Sequence, residues 1–458
     1  MRSLSRQAIA KPASSLGSLS AKRRPTMPSS SETGTTFPAS QAFAWVTWPP
    51  RKKKRRSYAL GNRRSRFARR RLRSAQSWWR SNETTNMKPD EKRYTLMELA
   101  ATLDGVISLG RGDPDLDTPP HIIHEAHLRM ATPPAELEVQ GLGELRAAIA
   151  KRYASEKSLD FDPDSEILVT NGAQEGLFLA VLALLNPGER ILVPDPRYGS
   201  YDQAIATAGG EIVSLPTGDG YDFGLTAEAV ENADGKLLLL VNPSNPTGAL
   251  TPAARVREIS AVARDKGLIV LSDEVYEKLT FDEEVLSVAT CDGMRERTVT
   301  LSSISKTYAM TGFRVGYVIG PRPFIEAATR LKSDISGPTA LFSQYAALAA
   351  IDGPQESVEA FRQVYAGRLG VMSKGLDALN IPYGKPGGGF FLWADVARFG
   401  VDAETFCRRL LTEGRVLMFP GTAFGARWKH FVRISLLQPE DRIAEALGRL
   451  EAFVESLS

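Results

Sequence analysis

The sequence contains little of what metal centres, disulfide scaffolds and membrane spans are made from. Its 458 residues include only two cysteines, Cys291 and Cys407, and four histidines. Two cysteines are too few for a disulfide framework or a cysteine-based zinc site, and they indicate a reducing, cytoplasmic compartment. With so few histidines we predict no metal site. No run approaches the roughly 18–20 consecutive apolar residues that a membrane helix needs, so no membrane association is expected.

Acidic residues are almost missing from the first 86 positions. This stretch holds 20 Lys and Arg against 2 Asp and Glu, whereas the rest of the chain carries a net charge of −14. It is rich in Ser, Pro and Arg and has no sustained apolar period. Such a segment cannot bury enough apolar surface to offset its ordering entropy, so residues 1–86 are predicted to be a disordered basic extension.

Three interpretations of the extension compete. It has the composition of an organelle transit peptide, which would redirect an otherwise cytoplasmic protein. Its basic run at 51–56 would also suit a polybasic arm for nucleic acid, although we do not expect nucleic acid as a partner. The third interpretation is that translation begins at Met87 and the extension is a start-site artefact.

From about Tyr94 onward, short apolar runs alternate with helix-length segments such as Ala173–Leu185 and Pro252–Lys266. The runs have four to six residues and are apolar almost throughout, which is typical of strands covered on both faces. This alternation predicts an α/β fold with a mostly parallel seven-stranded sheet flanked by helices. The seven predicted strands are Ile167–Thr170, Arg190–Val193, Glu211–Leu215, Lys236–Val241, Gly267–Leu271, Thr298–Leu301 and Val315–Ile319.

The pattern changes near Ser343 to longer amphipathic helices and a glycine-rich turn that leads into a strand at 386–393. We therefore expect a large domain at 131–340 and a smaller α+β domain at 341–458. Residues 87–130 are expected to pack on the smaller domain. In parallel sheets, ligands bind beyond the carboxyl ends of the strands, so polar residues at those ends are the candidate site.

The strongest candidate is the segment 302–317, with sequence S-S-I-S-K-T-Y-A-M-T-G-F-R-V-G-Y. Lys306 follows a predicted strand and could form a Schiff base with an aldehyde cofactor, while Ser303, Ser305 and Arg314 hold a phosphate. Taken alone, a lysine at a strand end is more often a solvated charge. The neighbouring hydroxyls and arginine favour the chemical role.

Two more strand ends carry polar residues. Asp273 could hold a pyridinium nitrogen protonated and Tyr276 could donate to the adjacent ring oxygen, although Asp273 alone would equally suit a helix cap. Asn245, in N-P-S-N-P-T-G at 242–248, either supplies a second hydrogen bond to that oxygen or belongs to an ordinary turn.

A third candidate region is the junction at 169–175, where a predicted strand meets a helix through a glycine. A helix that begins there presents free N–H groups to an anion, which makes Gly172, Ala173 and Gln174 phosphate candidates. Tyr198, in a neighbouring loop, is placed either to stack on a cofactor ring or to pack as a loop aromatic.

These motifs, in this order, resemble those of the class I/II pyridoxal-phosphate (PLP) aminotransferases, the fold type I group related to aspartate aminotransferase. The resemblance covers about residues 94–456, and the Ser-x-Ser-Lys-x-Tyr-Ala-Met-Thr-Gly-x-Arg motif is highly specific. It implies a PLP-dependent homodimer that transfers an amino group from an L-amino acid to a 2-oxo acid by a ping-pong mechanism.

The resemblance implies a role for each matching residue. Lys306 binds PLP covalently, Asp273 pairs with the pyridine nitrogen, and Asn245 and Tyr276 bind the ring oxygen. Tyr198 stacks on the ring. The phosphate is held by Gly172, Ala173, Gln174, Ser303, Ser305 and Arg314.

On the substrate side, the resemblance assigns the α-carboxylate to Arg433, in F-V-R-I-S at 431–435. A planar guanidinium suits this task because it binds a carboxylate through two hydrogen bonds and does not deprotonate. Gly110 and Gly112 match the N-terminal loop on the substrate side, and Asn245 also faces the substrate.

One position departs from the family pattern. Where the family usually has a tyrosine that reaches the partner subunit's phosphate, this sequence has Glu136, five residues before Gly141. A carboxylate beside a phosphate is repulsive. The cross-subunit contact is therefore in doubt, whereas the dimer is not.

Two other functions use the same motifs. A fold type I lyase, acting on a carbon–sulfur bond or resembling aminocyclopropane-carboxylate synthase, would need the same lysine. A PLP-binding transcription regulator would place a DNA-binding module before this domain, but the extension lacks the apolar spacing of a helix-turn-helix.

The amino acid donor is left open between aspartate-like, aromatic and broad neutral substrates, with 2-oxoglutarate as the expected acceptor. Arg111 and Lys332 are candidates for binding a side-chain carboxylate or are simply solvated charges. Trp393 and Phe390 either line an aromatic pocket or, as we expect, pack in the core.

Overall fold

The computed structural model describes residues 89–130, 137–217 and 220–457, with side chains from residue 92 onward. The strands are β1 (Ile107–Ser108), β2 (Ile167–Thr170), β3 (Arg190–Asp195), β4 (Glu211–Pro216), β5 (Leu237–Val241), β6 (Ile269–Asp273), β7 (Thr298–Ser303), β8 (Gly316–Ile319), β9 (Phe391–Asp395), β10 (Val416–Leu417), β11 (Phe419–Pro420) and β12 (Phe431–Ser435).

The helices between them range from one turn to six turns. They are α1 (Pro89–Ala101), α2 (Pro120–Met130), α3 (Gly143–Lys157), α4 (Gly172–Leu184), α5 (Gly199–Ala208), α6 (Ala227–Glu231), α7 (Ala253–Asp265), α8 (Ile304–Thr307), α9 (Arg322–Ile335), α10 (Leu341–Asp352), α11 (Glu356–Ala378), α12 (Ala403–Gly414) and α13 (Glu440–Glu455). No helix in these described ranges is long and apolar enough to cross a membrane.

Seven strands form the main sheet in the order β2-β8-β7-β6-β5-β3-β4. Neighbours are parallel except at β8, which runs antiparallel to both β2 and β7. The predicted mostly parallel seven-stranded sheet is confirmed. All seven predicted strands occur, shifted at their ends by no more than two residues.

The apolar character of the strands follows from burial on both faces. In β5, Leu237, Leu239 and Val241 pack against the helices of one face, including α4 and α5. Leu238 and Leu240 pack on the opposite face, with α6 and α7. A strand enclosed in this way has no solvated face, so alternation between apolar and polar residues is absent.

Two smaller sheets lie in the C-terminal part. Strands β9, β11 and β12 form an antiparallel sheet with β12 in the centre, and β1 pairs with β10. Their side chains belong to the largest apolar cluster, together with residues of α11, α12 and α13. Trp393 and Phe390 are fully buried there. Their predicted role in core packing is confirmed.

The register of the central strands determines where the polar residues lie. Val241 at the end of β5 pairs with Asp273 at the end of β6, and Asp273 pairs with Leu301 of β7. These three strands are parallel, so the segments that follow them emerge at one edge of the sheet. That edge receives Asn245 from the first segment and Lys306 from the third.

Two helical glycines should respond oppositely to replacement by alanine. A Cβ on Gly176 of α4 would lie 2.7 Å from Leu301 and 2.9 Å from Val318 in the buried sheet, whereas a Cβ on Gly448 of α13 would meet nothing within 4 Å. We expect Gly176→Ala to destabilise the apoprotein by about 1–3 kcal/mol through overpacking. Gly448→Ala should stabilise it by up to about 1 kcal/mol through helix propensity.

Denaturant unfolding of both variants beside the wild type checks this expectation. Equal stability of Gly176→Ala and the wild type would contradict the close packing of α4 on the sheet.

Candidate active site

The carboxyl ends of the central strands open into a cavity of about 260 Å³. Apart from Gly110 and Gly172, every residue predicted to bind the cofactor or the substrate lines it. These residues are Gly112, Ala173, Gln174, Tyr198, Asn245, Asp273, Tyr276, Ser303, Ser305, Lys306, Arg314 and Arg433. Gly172 lies directly behind Arg314. Residues separated by up to 321 positions in the sequence are therefore brought to one site.

Lys306 projects from α8, the short helix that follows β7. Ser303 caps this helix, with its hydroxyl oxygen accepting the N–H of Ser305 at 3.1 Å. The Lys306 ammonium donates to the carbonyl oxygen of Gly112 at 2.7 Å and to Asp113 at 3.2 Å. Burial lowers the pKa of Lys306; Asp113 opposes this shift, and the cations Arg314 and Arg433 add to it. The lowered pKa increases the fraction of Lys306 that is the neutral, nucleophilic amine.

Asp273 is buried at the end of β6 and accepts two hydrogen bonds. The hydroxyl of Tyr201 donates to Oδ2 at 2.8 Å, and the N–H of Val275 donates to Oδ1 at 3.1 Å. Burial raises the pKa of Asp273 to about 6, against the opposing effect of both hydrogen bonds. At neutral pH the group is a carboxylate in a dry site, which is what pairing with a cationic ring nitrogen requires. It does not cap a helix, because a turn follows β6.

Tyr276 and Tyr198 border the same space. Tyr276 is buried, and burial raises the pKa of its phenol, so it stays a neutral donor. Its ring packs edge-on against Phe390, with 5.3 Å between the ring centroids. Tyr198 packs edge-on against Tyr201 at 5.9 Å, which holds the ring of Tyr198 at the cavity wall.

An anion site lies where α4 begins. Gly172 has φ = 77°, and a Cβ there would lie 2.4 Å from Nη2 of Arg314, so only glycine allows this approach. Arg314 donates to the carbonyl oxygens of Thr311 and Asn171 at 3.1 and 3.4 Å. The hydroxyl of Ser305 is buried and has no partner among the described residues. A helix N-terminus, a guanidinium and an unused hydroxyl together fit a phosphate.

Arg433 lies in the central strand of the smaller antiparallel sheet and is 1% exposed. It donates to Oδ1 of Asn245 at 3.0 Å and to the carbonyl oxygen of Gly110 at 2.7 Å. Burial and then the nearby Arg93 lower the pKa of Arg433. An arginine keeps its proton, so the buried guanidinium of Arg433 stays charged in an environment that disfavours the charge. A substrate carboxylate would stabilise it.

An ion-pair network behind β6 supports the segment that carries Asp273 and Tyr276. Glu274 accepts from Lys157 at 3.0 Å, and Glu277 accepts from Arg152 at 2.6 Å and also from Lys157. Burial opposes ionisation of Glu277, but Lys157 and then Arg152 outweigh it and lower its pKa to about 2. The segment thus contributes Asp273 and Tyr276 to the cavity and Glu274 and Glu277 to this network.

Four further polar residues line the cavity and were not predicted. Tyr201 and Asp113 lie beside predicted residues in the sequence, in the segments 194–201 and 108–113, and a search of those segments for polar partners could have found them. Thr311 lies within the predicted lysine segment. Arg93 lies on α1, and nothing in its local sequence indicates the cavity; only the packing of α1 brings it there.

Two candidates for binding a side-chain carboxylate lie elsewhere. Lys332 is fully buried and forms an ion pair with Glu175 at 2.7 Å, so it is neither a substrate ligand nor a solvated charge. Glu175 also accepts the N–H of Asn171 at 2.6 Å, which anchors the start of α4. Arg111 is exposed and is absent from the cavity lining. Glu136 lies outside the described residues.

Comparison with known proteins agrees with this site. Residues 104–450 match the model of the family described as aminotransferase class I and II. The chain belongs to this family. It is 36% identical over 373 residues to aspartate aminotransferase of Pyrococcus abyssi, covering 80% of this chain and 95% of that one.

Other relatives in the aminotransferase family are named for aromatic amino acids. Aromatic-amino-acid aminotransferase 2 of Thermococcus litoralis is 33% identical over 378 residues, covering 81% of this chain and 97% of the relative. The structure of an aromatic aminotransferase from Pyrococcus horikoshii matches with a TM-score of 0.75 and 34% identity, covering 79% of this chain and 99% of that one.

The chain is therefore a PLP-dependent aminotransferase of fold type I, as the sequence predicted. The lyase and regulator alternatives are not favoured. The residues present fit the cofactor: the anion site at α4 suits its phosphate, the carboxylate of Asp273 its ring nitrogen, and the amine of Lys306 its aldehyde.

The buried carboxylate of Asp273 should make the apoenzyme less stable as pH rises. The pKa of Asp273 is about 6 in the folded protein, whereas an aspartate has an ordinary value of 3.8, which applies to the unfolded chain. Between these two pH values the folded state therefore binds more protons than the unfolded state. The free energy of unfolding contributed by this group is highest below pH 4 and falls as pH rises through 6. Asp273→Asn removes this contribution.

We therefore expect the stability of the apo Asp273→Asn variant, relative to the wild type, to improve by up to about 3 kcal/mol between pH 4 and 7.5. Denaturant unfolding of both apoproteins across this range measures it. A difference that is constant with pH would show that burial does not raise the pKa of Asp273.

Proposed function

We propose that this aminotransferase moves the amino group of an L-amino acid to a 2-oxo acid such as 2-oxoglutarate in two half-reactions, with Lys306 at the centre of both. The observation that carries the proposal is the convergence of Lys306, Asp273 and Arg433 on one cavity. It supplies an amine, a buried carboxylate and a carboxylate-binding arginine to a single bound substrate.

In this proposal PLP is held by Lys306 through its aldehyde, by Asp273 at the ring nitrogen, and by Asn245 and Tyr276 at the ring oxygen. Tyr198 covers the ring face. The phosphate is bound by Gly172, Ala173, Gln174, Ser303, Ser305 and Arg314. When bound, PLP supplies an electron sink for the carbon from which a proton is removed.

The protein's own residues then have separate tasks. Arg433 binds the α-carboxylate and Gly112 borders the substrate, which together orient the α-hydrogen toward Lys306. The amine of Lys306, once freed from the cofactor, would take the α-proton of the substrate and deliver it to the aldehyde carbon of the cofactor. Burial and the neighbouring cations, which lower its pKa, support this role as a base.

Lys306→Ala tests the assignment directly. We expect the purified full-length variant, after addition of PLP, to lack the absorbance band near ~420 nm of lysine-bound PLP and to have no detectable transaminase activity. Lys278→Ala, which removes a surface lysine paired with Glu156, is the control and should keep both. Measurable turnover by Lys306→Ala would refute the role of Lys306.

The donor is identified by adding single amino acids to the holoenzyme without any 2-oxo acid. A donor should shift the ~420 nm band toward ~330 nm, because the first half-reaction then stops with the amino group on the cofactor. A loss of the amino group as ammonia, without this stable shift, would instead indicate lyase chemistry.

We propose that the enzyme is a homodimer. Large apolar side chains are exposed on α2 and on the helix α10 that packs against it: Ile123, Leu128 and Met130 are 50%, 53% and 66% exposed, and Phe342 is 38% exposed. A second copy of the chain would cover this patch, which also agrees with the family resemblance.

The double variant Ile123→Glu, Leu128→Glu should shift sedimentation from dimer toward monomer, because two charges would have to be buried at the interface. Val364→Glu, at a 38% exposed site on α11, is the control and should leave the dimer intact. A wild type that sediments as a monomer at micromolar concentration would overturn the proposal.

We also propose the domain division 87–130, 131–340 and 341–458, since the main sheet and the smaller antiparallel sheet lie in the second and third ranges. A cytoplasmic location is supported by the two cysteines, both of which are free thiols. Import into an organelle is the alternative if the extension, which lies outside the described residues, acts as a transit peptide.

A further inference from the structure

The amine of Lys306 has a carboxylate beside it to which the proposed function gives no task. Nζ of Lys306 lies 3.2 Å from Oδ1 of Asp113 and 2.7 Å from the carbonyl oxygen of Gly112. The Lys306 side chain is 16% exposed and that of Asp113 is 61% exposed. This ion pair joins the amine at the end of β7 to the N-terminal loop, residues 109–119, which connects β1 to α2.

The N-terminal loop is anchored on both sides of Asp113. Before it, the carbonyl oxygen of Gly110 accepts a hydrogen bond from Arg433 at 2.7 Å. After it, the carboxylate of Asp115 accepts two hydrogen bonds from Arg368, at 2.7 and 2.9 Å. Both arginines are buried. The chain is therefore held on either side of Asp113, which keeps this carboxylate within reach of the amine.

The charges around the amine make Asp113 its partner. Among the described residues that line the cavity, the carboxylates are Asp113 and Asp273. Asp273 accepts hydrogen bonds from Tyr201 and from the N–H of Val275, whereas Asp113 forms the ion pair with Lys306. The titratable groups that line the cavity with Lys306 are Arg93, Asp113, Tyr198, Tyr201, Asp273, Tyr276, Arg314 and Arg433.

The charge of Asp113 acts against the rest of the environment of Lys306. Burial, together with Arg314 and Arg433, lowers the pKa of Lys306, and Asp113 raises it through both its charge and its hydrogen bond. A carboxylate at this distance favours the ammonium form, which has no lone pair with which to attack a carbonyl carbon. Removal of the charge of Asp113 would therefore leave more of the amine neutral and nucleophilic at a given pH.

We propose that Asp113 is a positioning residue for Lys306, which accepts a hydrogen bond from the amine whenever the amine is not attached to the cofactor and thereby sets the pH at which the amine reacts with an aldehyde. This inference rests on the proposed function, in which Lys306 is attached to PLP and freed from it in each half-reaction. It gives the N-terminal loop, and not only the strand ends, a part in the reactivity of the lysine.

Asp113→Asn tests the inference in the full-length apoprotein. Asparagine has nearly the same shape and keeps an oxygen that accepts a hydrogen bond, so that the charge is the main loss. The probe is 4-pyridinecarboxaldehyde, a neutral aldehyde without a phosphate, so the anion site at α4 does not bind it. The neutral amine adds to the aldehyde carbon, and an imine forms with loss of water. Reduction with borohydride and mass spectrometry then locate the imine at Lys306.

The rate constant of imine formation is measured between pH 6 and 10. For Asp113→Asn we expect the midpoint of the pH–rate profile to move to lower pH by roughly half to one pH unit. The rate at pH 7.5 should then rise about three- to tenfold. These values are modest because solvent screens a carboxylate as exposed as that of Asp113.

Two further variants act as controls. Asp117→Asn makes the same change of net charge in the same loop, but Asp117 is exposed and does not line the cavity, so its profile should match that of the wild type. Asp113→Glu keeps a carboxylate at the position, so its midpoint should stay close to the wild-type value.

Three results would overturn the inference. They are an unchanged midpoint in Asp113→Asn, an equal shift in Asp117→Asn, and a rate that falls at every pH with the midpoint in place, which would mean that Asp113 only supports the fold. None of them affects the proposed function. That function fails on other results, namely a wild type that forms no imine at Lys306 or turnover by Lys306→Ala.

Discussion

The hydrogen-bond register between β5, β6 and β7 brings Asn245, Asp273 and Lys306 to one edge of the main sheet. Because Val241, Asp273 and Leu301 are paired neighbours, the three segments that follow them leave the sheet side by side. Asn245, Tyr276 and Lys306 then need only short turns to face one another. A register slip of one residue in a strand would turn Asp273 toward the opposite face, so the packing that fixes the register also fixes the site.

The same burial that holds the sheet together sets the chemistry at its edge. Asp273 and Lys306 both lie in places where their charged forms are disfavoured, one with a raised and the other with a lowered pKa. The carboxylate of Asp273 therefore suits a cationic ring, and the amine of Lys306 suits an electrophilic aldehyde. The neighbouring network differs, because Glu274 and Glu277 are paired there with Arg152 and Lys157 and leave no carboxylate buried without a cation.

The substrate side is assembled differently from the cofactor side. The residues proposed to bind the cofactor come from the strand ends of the main sheet and the segments that follow them, whereas Arg433 comes from the smaller antiparallel sheet and Arg93 from the first described helix. The substrate side therefore depends on how β12 and α1 pack beside the strand ends, and not only on the register of the central strands. This separation is consistent with relatives that are named for aspartate and for aromatic amino acids at similar levels of identity.

By itself the sequence determined the strands of the main sheet and most of the polar residues that line the cavity, because both signals are local. A strand enclosed on two faces is apolar throughout, as at Leu237–Val241, and the segment at 302–317 carries its lysine, hydroxyls and arginine within sixteen positions. Only the tertiary structure decided which residues surround each of the cations that lie far apart in the sequence. Lys332 and Arg93 look alike in the sequence as single charges within helices, yet packing encloses Lys332 with Glu175 and places Arg93 in the cavity lining with Arg433. Such pairings depend on contacts between elements hundreds of residues apart, which local patterns do not record.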